Sequence, residues 1–225
     1  MKWNLFIACV LIVFSFSSCI EILDDLTLNN DGSGTFKYSI NLSSSKVKVN
    51  SLLALDSLDG KKVPSIDDIS LKIKEVVSQL KESNGISNVQ MESNYTDFIF
   101  KIQFDFSSLK NLQEAVVSIV KSESKGTNYK EIESRWLTFD DDKLVRSIPQ
   151  ITIEKANQFK KEDADLLRLG SYTSITRFER DVVSFENSDA KQAKNNRAVM
   201  LRANAYSLTQ NPSLLDNTIY LVKEQ

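Results

Sequence analysis

The stretch Phe98-Ile99-Phe100-Lys101-Ile102-Gln103-Phe104-Asp105-Phe106 decides the fold class. Large apolar side chains occupy every second position, with Ile99, Lys101, Gln103 and Asp105 between them. Successive side chains of a β-strand point to opposite faces, so one face of this strand is predicted to be buried and the other mostly wet. Residues 35–42 alternate in the same way. This pattern is typical of antiparallel sheets covered on a single side, whereas strands of doubly wound parallel sheets are apolar on both faces.

Three turn signals predict that these strands belong to hairpins. Residues 26–28 lead through Asn29-Asn30-Asp31-Gly32-Ser33-Gly34 into the strand at 35–42. A glycine in such a turn accepts a positive φ without steric cost. Residues 86–91 and 98–106 form a second predicted hairpin, around Asn94. Residues 129–139 and 143–148 suggest a third, with Asp140-Asp141-Asp142 at its turn.

Helices are predicted between the hairpins. Ser65 and Asp68 have the spacing of a capping box, and Ser108 could cap a second helix. The apolar positions that follow trace one face of each helix: Ile69, Ile73, Val76, Val77 and Leu80, then Leu112, Ala115, Val116, Ile119 and Val120. The order hairpin, helix, hairpin, helix, hairpin suggests an internal duplication. The predicted fold class is α+β, an antiparallel sheet built from hairpins with helices packed on one face.

The carboxyl-terminal third shows weaker patterns. A helix over 160–169 is predicted to stop at Gly170, with strands over 172–178, 182–185, 198–206 and 219–222. Asn211 followed by Pro212 predicts a short helix with Asn as its cap. The stretches 43–65 and 187–197 are less patterned and carry no predicted element.

Composition limits the function classes. The chain of 225 residues has a formal net charge of −2, 41% hydrophobic and 26% charged residues, which is a globular composition. Proteins that bind nucleic acids usually carry an excess of basic residues, and this chain does not. No nucleic-acid partner is therefore predicted. The chain has no histidine, which excludes histidine-based triads and HExxH zinc sites. No cofactor, metal site or catalytic residue is predicted.

The amino terminus has the features of an export signal. Lys2 supplies a positive start, and residues 5–16 are apolar apart from Ser15. That run is about half of the ~20 residues that a membrane-spanning helix needs. A charged start, a short apolar core and small residues at its end are typical of a signal peptide.

The end of this signal, Phe16-Ser17-Ser18-Cys19, resembles a bacterial lipobox. The resemblance implies that Cys19 becomes a diacylglyceryl thioether and that the chain is cut just before it. Residues 1–18 would then be a lipoprotein signal peptide, and 19–225 an exported α+β domain, either undivided or split into subdomains at about 19–150 and 151–225. Two or more acyl chains anchor a protein stably to a membrane. The alternative is ordinary signal peptidase cutting after Ser17.

Both ends of the predicted mature chain carry a wider resemblance. The turn Asn29-Asn30-Asp31-Gly32-Ser33-Gly34 soon after Cys19, and the ending from Phe178 to Ile219, resemble uncharacterised Bacteroidota lipoproteins. More distantly, the layout resembles the mycobacterial LppM-type lipoproteins, which have an α+β exported domain. The resemblance implies an envelope location, with the bacterial outer membrane favoured, and supplies no catalytic residues. The acidic stretch Glu21, Asp24 and Asp25 fits either a surface-export signal or the start of an acidic strand.

Several residues could carry chemistry, and each has a plainer interpretation. Residues 31–34 could bind a cation or phosphate, but their sequence is more typical of an ordinary β-turn. Asp140-Asp141-Asp142 could bind calcium or simply face water. The aromatic stripe at 98–106 could line a ligand groove but is more typical of core, and Trp136 fits either a binding platform or a core cover. Asp56-Ser57-Leu58 matches the Bacteroidota O-glycosylation motif, which makes Ser57 a possible glycosylation site.

These observations favour a lipid-anchored envelope lipoprotein that is not an enzyme and that binds or scaffolds another envelope component. Its predicted partners are the membrane, through lipidated Cys19, and an envelope protein or ligand of unknown identity. The alternative is an envelope hydrolase that uses carboxylates or a Ser/Lys pair. A third hypothesis is the binding of a lipid or other apolar ligand between the sheet and the helices.

Overall fold

The computed structural model describes residues 20–58, 60–123, 136–148 and 167–223. The strands are β1 (Glu21–Leu28), β2 (Gly34–Asn41), β3 (Ser57–Leu58), β4 (Lys61–Lys62), β5 (Ile86–Asn94), β6 (Ile99–Phe106), β7 (Leu137–Asp140), β8 (Lys143–Arg146), β9 (Ser171–Phe178), β10 (Val182–Phe185), β11 (Lys191–Gln192), β12 (Ala198–Asn204) and β13 (Asn217–Leu221). The α-helices are α1 (Lys46–Leu53), α2 (Ile66–Glu82), α3 (Leu109–Glu123) and α4 (Ala205–Gln210), with 3₁₀ turns at Ser43–Ser45 and Pro212–Leu215.

A seven-stranded sheet forms the base of the fold. Its strand order is β11-β12-β9-β1-β2-β6-β5. The first two predicted hairpins are confirmed, since β1 pairs antiparallel with β2 and β5 with β6. β1 and β9, however, run parallel, from Glu21 beside Ser171 to Leu28 beside Phe178. The sheet is therefore mixed, and its parallel pair joins segments that local hairpin signals cannot connect.

A second sheet and two helices cover one face of this base. The second sheet has the order β10-β13-β8-β7, and its β7–β8 pair turns at Asp140–Lys143, as predicted for the third hairpin. β3 and β4 form a separate two-stranded ribbon. The core lies between these layers and contains buried side chains from both sheets and both helices: Leu26, Leu28, Leu80, Phe104, Phe106, Leu112, Leu144, Val199, Leu201, Ile219 and Leu221. The predicted α+β fold with helices on one face is confirmed.

Two of the predicted caps are confirmed, whereas the Asn211 side chain makes no cap hydrogen bond to the 3₁₀ turn at Pro212–Leu215. The Ser65 hydroxyl accepts a hydrogen bond from the Asp68 N–H at 3.1 Å, and the Asp68 carboxylate accepts one from the Ser65 N–H at 2.9 Å. Ser108 accepts from the Asn111 N–H at 3.2 Å in front of α3. Leu80 and Leu112 are fully buried on the predicted apolar faces. The capping box therefore sets where α2 begins and which face it turns to the sheet.

Some predicted boundaries need correction. The strand predicted over 198–206 ends at Asn204, whose side chain accepts a hydrogen bond from the Ser207 N–H at 3.1 Å and so begins α4. The stretch 43–65, for which no element was predicted, contains α1 and the β3–β4 ribbon, and 187–197 contains β11. The predicted signal peptide, Cys19, the strand residues 129–135 and the helix residues 160–166 lie outside the described residues.

No helix in the described ranges is long and apolar enough to cross a membrane.

Candidate functional site

A buried ion pair joins the two sheets. The Arg146 guanidinium on β8 donates to both carboxylate oxygens of Asp24 on β1, with Nη1–Oδ1 at 3.1 Å and Nη2–Oδ2 at 2.8 Å. The Asp24 side chain is only 2% exposed and that of Arg146 12%. Burying a charge is costly because it loses its hydration, and the cost is offset only when an oppositely charged partner forms hydrogen bonds of good geometry with it.

Two hydroxyl groups from β9 donate further hydrogen bonds to the Asp24 carboxylate. Ser174 Oγ donates to Asp24 Oδ1 at 2.8 Å, and the Tyr172 hydroxyl donates to Oδ2. Tyr38 lies opposite Asp24 on β2. Because successive side chains point to opposite faces, Asp24 faces this inner layer while neighbouring Asp25 pairs with Arg177 on the outer face at 2.8 Å. The acidic stretch at 21–25 is therefore part of strand β1, with its two aspartates on opposite faces.

The electrostatics of this cluster follow from burial and from the Asp24 charge. Burial raises the pKa of Tyr172 well above that of a free tyrosine, and the charge of Asp24 adds to the shift. The same two causes raise the pKa of Tyr38 to about 12. Burial alone lowers the pKa of Arg146, but Asp24 outweighs burial and the net pKa is raised. At neutral pH both phenols are therefore neutral and Arg146 is a cation.

The Asp24 carboxylate is buried, while 12% of the Arg146 side chain stays exposed. Ser174 is buried, as are the neighbouring Thr176 and Asp24. The Nε of Arg146 is buried without a hydrogen-bond partner in the described structure. The residues present form a fixed junction between the sheets, and the Ser174 hydroxyl is committed to Asp24 rather than to a solvent-facing cleft.

An open polar groove lies at the end of β1 opposite Glu21, beside the β1–β2 turn. We call it the distal groove. It is a cavity of about 430 Å³ between the β1–β2 turn, the start of α3 and the β7–β8 hairpin. It is lined by Asn30, Asp31, Gly32, Ser108, Leu109, Lys110, Gln113, Leu137, Thr138, Phe139, Asp140 and Asp141. The fold thus brings two turns that the sequence analysis treated separately, 31–34 and 140–142, to the same groove.

Arg180 connects the loops beside the distal groove. Its Nε donates to Asn30 Oδ1 at 2.9 Å, its Nη1 to the Val222 carbonyl at 3.2 Å, and its Nη2 to the Asp141 carbonyl. A neighbouring cavity of about 290 Å³ is lined by Asn30, Asp141, Asp142, Arg180 and Lys223. The guanidinium therefore holds three loops together through backbone and amide oxygens.

The groove carries charges of both signs. Asp31, Asp140 and Asp141 line it together with Lys110, and the first helical turn of α3 opens onto it. Hydrogen bonds from Ser33 to the Asp31 carboxylate lower the pKa of Asp31, so it is an anion at neutral pH. Within the described ranges, no group of three or more His, Cys, Asp or Glu side chains is arranged to hold a metal ion. The arrangement suits a polar partner that offers both donors and acceptors.

The remaining sequence-predicted residues lie elsewhere. Ser57 is exposed on β3, where an added sugar would meet solvent, and its glycosylation stays a prediction. Phe104 and Phe106 of the aromatic stripe are buried in the core, and the Phe36 and Phe104 ring centroids lie 5.7 Å apart. Trp136 packs partly buried against the core. These side chains belong to the core between the sheet and the helices, and the apolar-ligand hypothesis stays a prediction.

Sequence reasoning did not find Arg146 or Arg180. Arg146 lies in a predicted strand, 122 residues away from its partner Asp24, and Arg180 lies in a loop. One signal was present for Asp24: an acidic residue at a position that shares the inward face with Leu26 and Leu28 requires a buried partner. The partner itself could not be chosen among the 28 basic residues.

Comparisons with known proteins were made for the whole chain. No protein-family model matches it, and no curated protein matches it. In structure it is similar to the folded domain of the Mycobacterium tuberculosis LppM protein, with a TM-score of 0.44, 10% sequence identity and 91% of each chain covered. Likeness at this level says nothing about activity, and the resemblance to Bacteroidota lipoproteins stays a prediction.

Proposed function

We propose that this protein is a lipid-anchored lipoprotein of the bacterial envelope, held at the outer membrane by Cys19, that binds another envelope component through the distal groove without catalysing a reaction. One observation carries the proposal. β1 begins at Glu21, two residues after Cys19, and ends at Leu28, beside the turn that lines the groove. Eight strand residues at about 3.3 Å each separate the anchor from the groove by roughly 25 Å.

The first residue after Cys19 already belongs to the folded body. The carbonyl oxygen of Ile20 accepts a hydrogen bond from the Ser171 N–H at 2.7 Å. No flexible linker therefore separates the anchor from the sheet. The anchor holds the start of β1, and with it the domain, next to the membrane. The bilayer lies at one end of the strands, and the groove opens at the opposite end.

The groove suits recognition of a polar envelope component. Its lining combines the carboxylates of Asp31, Asp140 and Asp141 with the ammonium group of Lys110 and the amide of Asn30. Polar groups of this kind fix the orientation of a partner and give specificity. A location away from the bilayer leaves the groove accessible while the anchor stays in the membrane.

The anchor is tested by Cys19→Ala in the full chain expressed in a bacterium with an outer membrane. The wild-type protein should incorporate labelled fatty acid and fractionate with the outer membrane. The variant should do neither. A matched control, Cys9→Ala, removes the other cysteine of the chain, which lies inside the predicted signal peptide, and should leave labelling unchanged. Equal labelling of wild type and Cys19→Ala would refute the lipoprotein assignment.

The groove is tested by site-specific photo-crosslinking in intact cells. A photoreactive residue at Lys110, which lines the groove, is compared with one at Lys37, which is exposed on β2 on the outer face of the sheet. Position 110 should give a discrete crosslinked partner that position 37 does not. Identical crosslinks at both positions, or none at position 110, would contradict binding through the groove.

A further inference from the structure

The chain leaves the fold between two exposed apolar side chains. β1 lies between β9 and β2 in the sheet. On the β9 side, Leu169 precedes Ser171, the hydrogen-bond partner of Ile20, and is 52% exposed. On the β2 side, Asn41 pairs with Glu21, and the chain then turns into α1, where Val47 is 81% exposed. Both side chains therefore belong to segments at the end of the sheet where β1 begins.

Helix α1 exposes one apolar side chain, Val47, between two lysines. Its sequence is Lys46-Val47-Lys48-Val49-Asn50-Ser51-Leu52-Leu53, and this fully described helix contains no buried residue. Lys46 reaches Asp97, in the β5–β6 turn, at 2.9 Å, which fixes the start of the helix at the same end of the sheet as Ile20. Lysine stems that flank an apolar residue can lie along an apolar surface while their charges stay in water.

We infer that this end of the domain, which we call the anchor-end surface and define by α1 and Leu169, rests on the phospholipid bilayer. The inference depends on the proposed lipidation of Cys19, because that anchor places the acyl chains two residues from Glu21. Val47 and Leu169 then contact the interfacial region of the lipids, with Lys46 and Lys48 at the level of the headgroups.

The position of the anchor selects the bilayer over a protein partner. A tether of this length confines the anchor-end surface to the immediate neighbourhood of the lipids, so their effective concentration at Val47 and Leu169 is high. An exposed apolar side chain that enters the interfacial region of the lipids is removed from water, which is favourable. The contact also fixes the tilt of the domain, so that the distal groove points away from the bilayer.

The test places an environment-sensitive nitrobenzoxadiazole fluorophore on the lipidated full-length protein after reconstitution into phosphatidylethanolamine and phosphatidylglycerol vesicles. Under the proposed processing, Cys9 is removed and Cys19 is acylated, so a cysteine introduced by substitution is the only thiol to label. The labelled variants are Val47→Cys and Leu169→Cys. The matched control is Val183→Cys, an equally apolar position that is 62% exposed on β10, which starts near the distal end of β9.

At positions 47 and 169 the fluorescence should shift to the blue on reconstitution and be lost when spin-labelled lipids are included. At position 183 the emission should remain that of a fluorophore exposed to water, with and without spin-labelled lipids. Two failures are distinguishable by flotation of the vesicles. Protein that floats with the vesicles but behaves alike at positions 47, 169 and 183 refutes the bilayer contact alone. Protein that does not float with the vesicles refutes the lipid anchor and the bilayer contact together.

Discussion

Arg146 and Asp24, 122 residues apart in the chain, form a two-point ion pair that joins the small sheet to the large one in the interior. Buried pairs of this kind are costly to desolvate, and breaking one leaves the other charge without compensation. The junction also collects Tyr172 and Ser174 from β9, so one carboxylate connects strands β1, β8 and β9. The packing of the two sheets therefore depends on these few side chains.

Replacing Arg146 with Met should destabilise the protein by about 3–5 kcal/mol, because Asp24 then remains buried without its cation. The free energy of unfolding is measured by urea denaturation of the purified chain. The double variant Asp24→Leu with Arg146→Met should recover most of the loss, since two apolar side chains need no mutual charge compensation.

The neighbouring residue supplies a matched control for this prediction. Asp25 pairs with Arg177 at 2.8 Å on the outer face, where Arg177 is 47% exposed. Exposed pairs contribute at most about 1 kcal/mol, so Arg177→Met should have a correspondingly small effect. Equal losses for the two arginine variants would mean that the buried pair does not hold the sheets together.

Alkaline pH should destabilise the fold through Tyr38. The folded-state pKa of Tyr38 is raised from 10.0 to about 12 by burial and by Asp24. Below pH 10 the phenol is protonated in both the folded and unfolded states, and its contribution to stability is fully present. Between pH 10 and 12 the unfolded state loses the proton first, so stability falls by about 1.4 kcal/mol per pH unit for this group.

The variant Tyr38→Phe isolates that contribution, because phenylalanine does not titrate. Its free energy of unfolding, measured in urea at a series of pH values, should fall less steeply than that of the wild type between pH 10 and 12. Below pH 9 the difference between the two proteins should be independent of pH. Parallel curves across the whole range would show that Tyr38 is not the titrating group.

Local patterns in the sequence were sufficient for the hairpins and for the first two helix caps, but not for the caps at Asn204 and Asn211. The turn at 29–34 and the Ser65–Asp68 capping box both act within a few residues, and the structure confirms them. The parallel β1–β9 pair and the Asp24–Arg146 contact depend instead on segments brought together by the whole fold. Each turn at the distal groove was visible in the sequence, but their adjacency follows only from the way the small sheet packs on the large one.

Helix α1 shows a different limit of sequence reasoning. Its residues Lys46–Leu53 lack the spacing of a helix with one buried face, and indeed no residue of this described helix is buried. Periodicity reports burial against the domain itself. Of the apolar residues in α1 only Val47 is largely exposed, and the others are half-buried, so no apolar face repeats along the helix and the stretch 43–65 gave no helix signal.

Gly34 should be intolerant of even a single methyl group. A Cβ at this position would lie 2.0 Å from the Thr27 carbonyl oxygen and 2.7 Å from Cζ of Phe106. The backbone of β1 and a core ring must both move, so Gly34→Ala should cost more than about 3 kcal/mol of stability in thermal or urea unfolding.

Gly32 in the same turn is the control. Its φ is +80°, yet a Cβ there meets no atom within 4 Å. Gly32→Ala should therefore cost only the backbone strain of the left-handed region, about 1–2 kcal/mol. The opposite ranking of the two alanine variants would mean that the close approach at Gly34 does not restrict the β1–β2 hairpin.

Arg180 should determine the shape of the distal groove while contributing little to the core. It links Asn30, Asp141 and Val222 through hydrogen bonds from one guanidinium. In Arg180→Ala these three loops lose their common donor but keep their strands. Amide hydrogen exchange should become faster at residues 30, 141 and 142, while exchange in β1 and β9 stays at the wild-type rate.

The nearby Arg197→Ala separates the loss of this connection from the loss of any exposed arginine. Arg197 pairs with Asp181 at 3.0 Å and makes no described contact with the groove turns. Its removal should leave exchange at 30, 141 and 142 unchanged. If the groove also binds the proposed partner, Arg180→Ala should weaken crosslinking from Lys110 and Arg197→Ala should not. Unchanged exchange in Arg180→Ala would show that the loops hold their positions without the guanidinium, and the groove would then owe its shape to the strands alone.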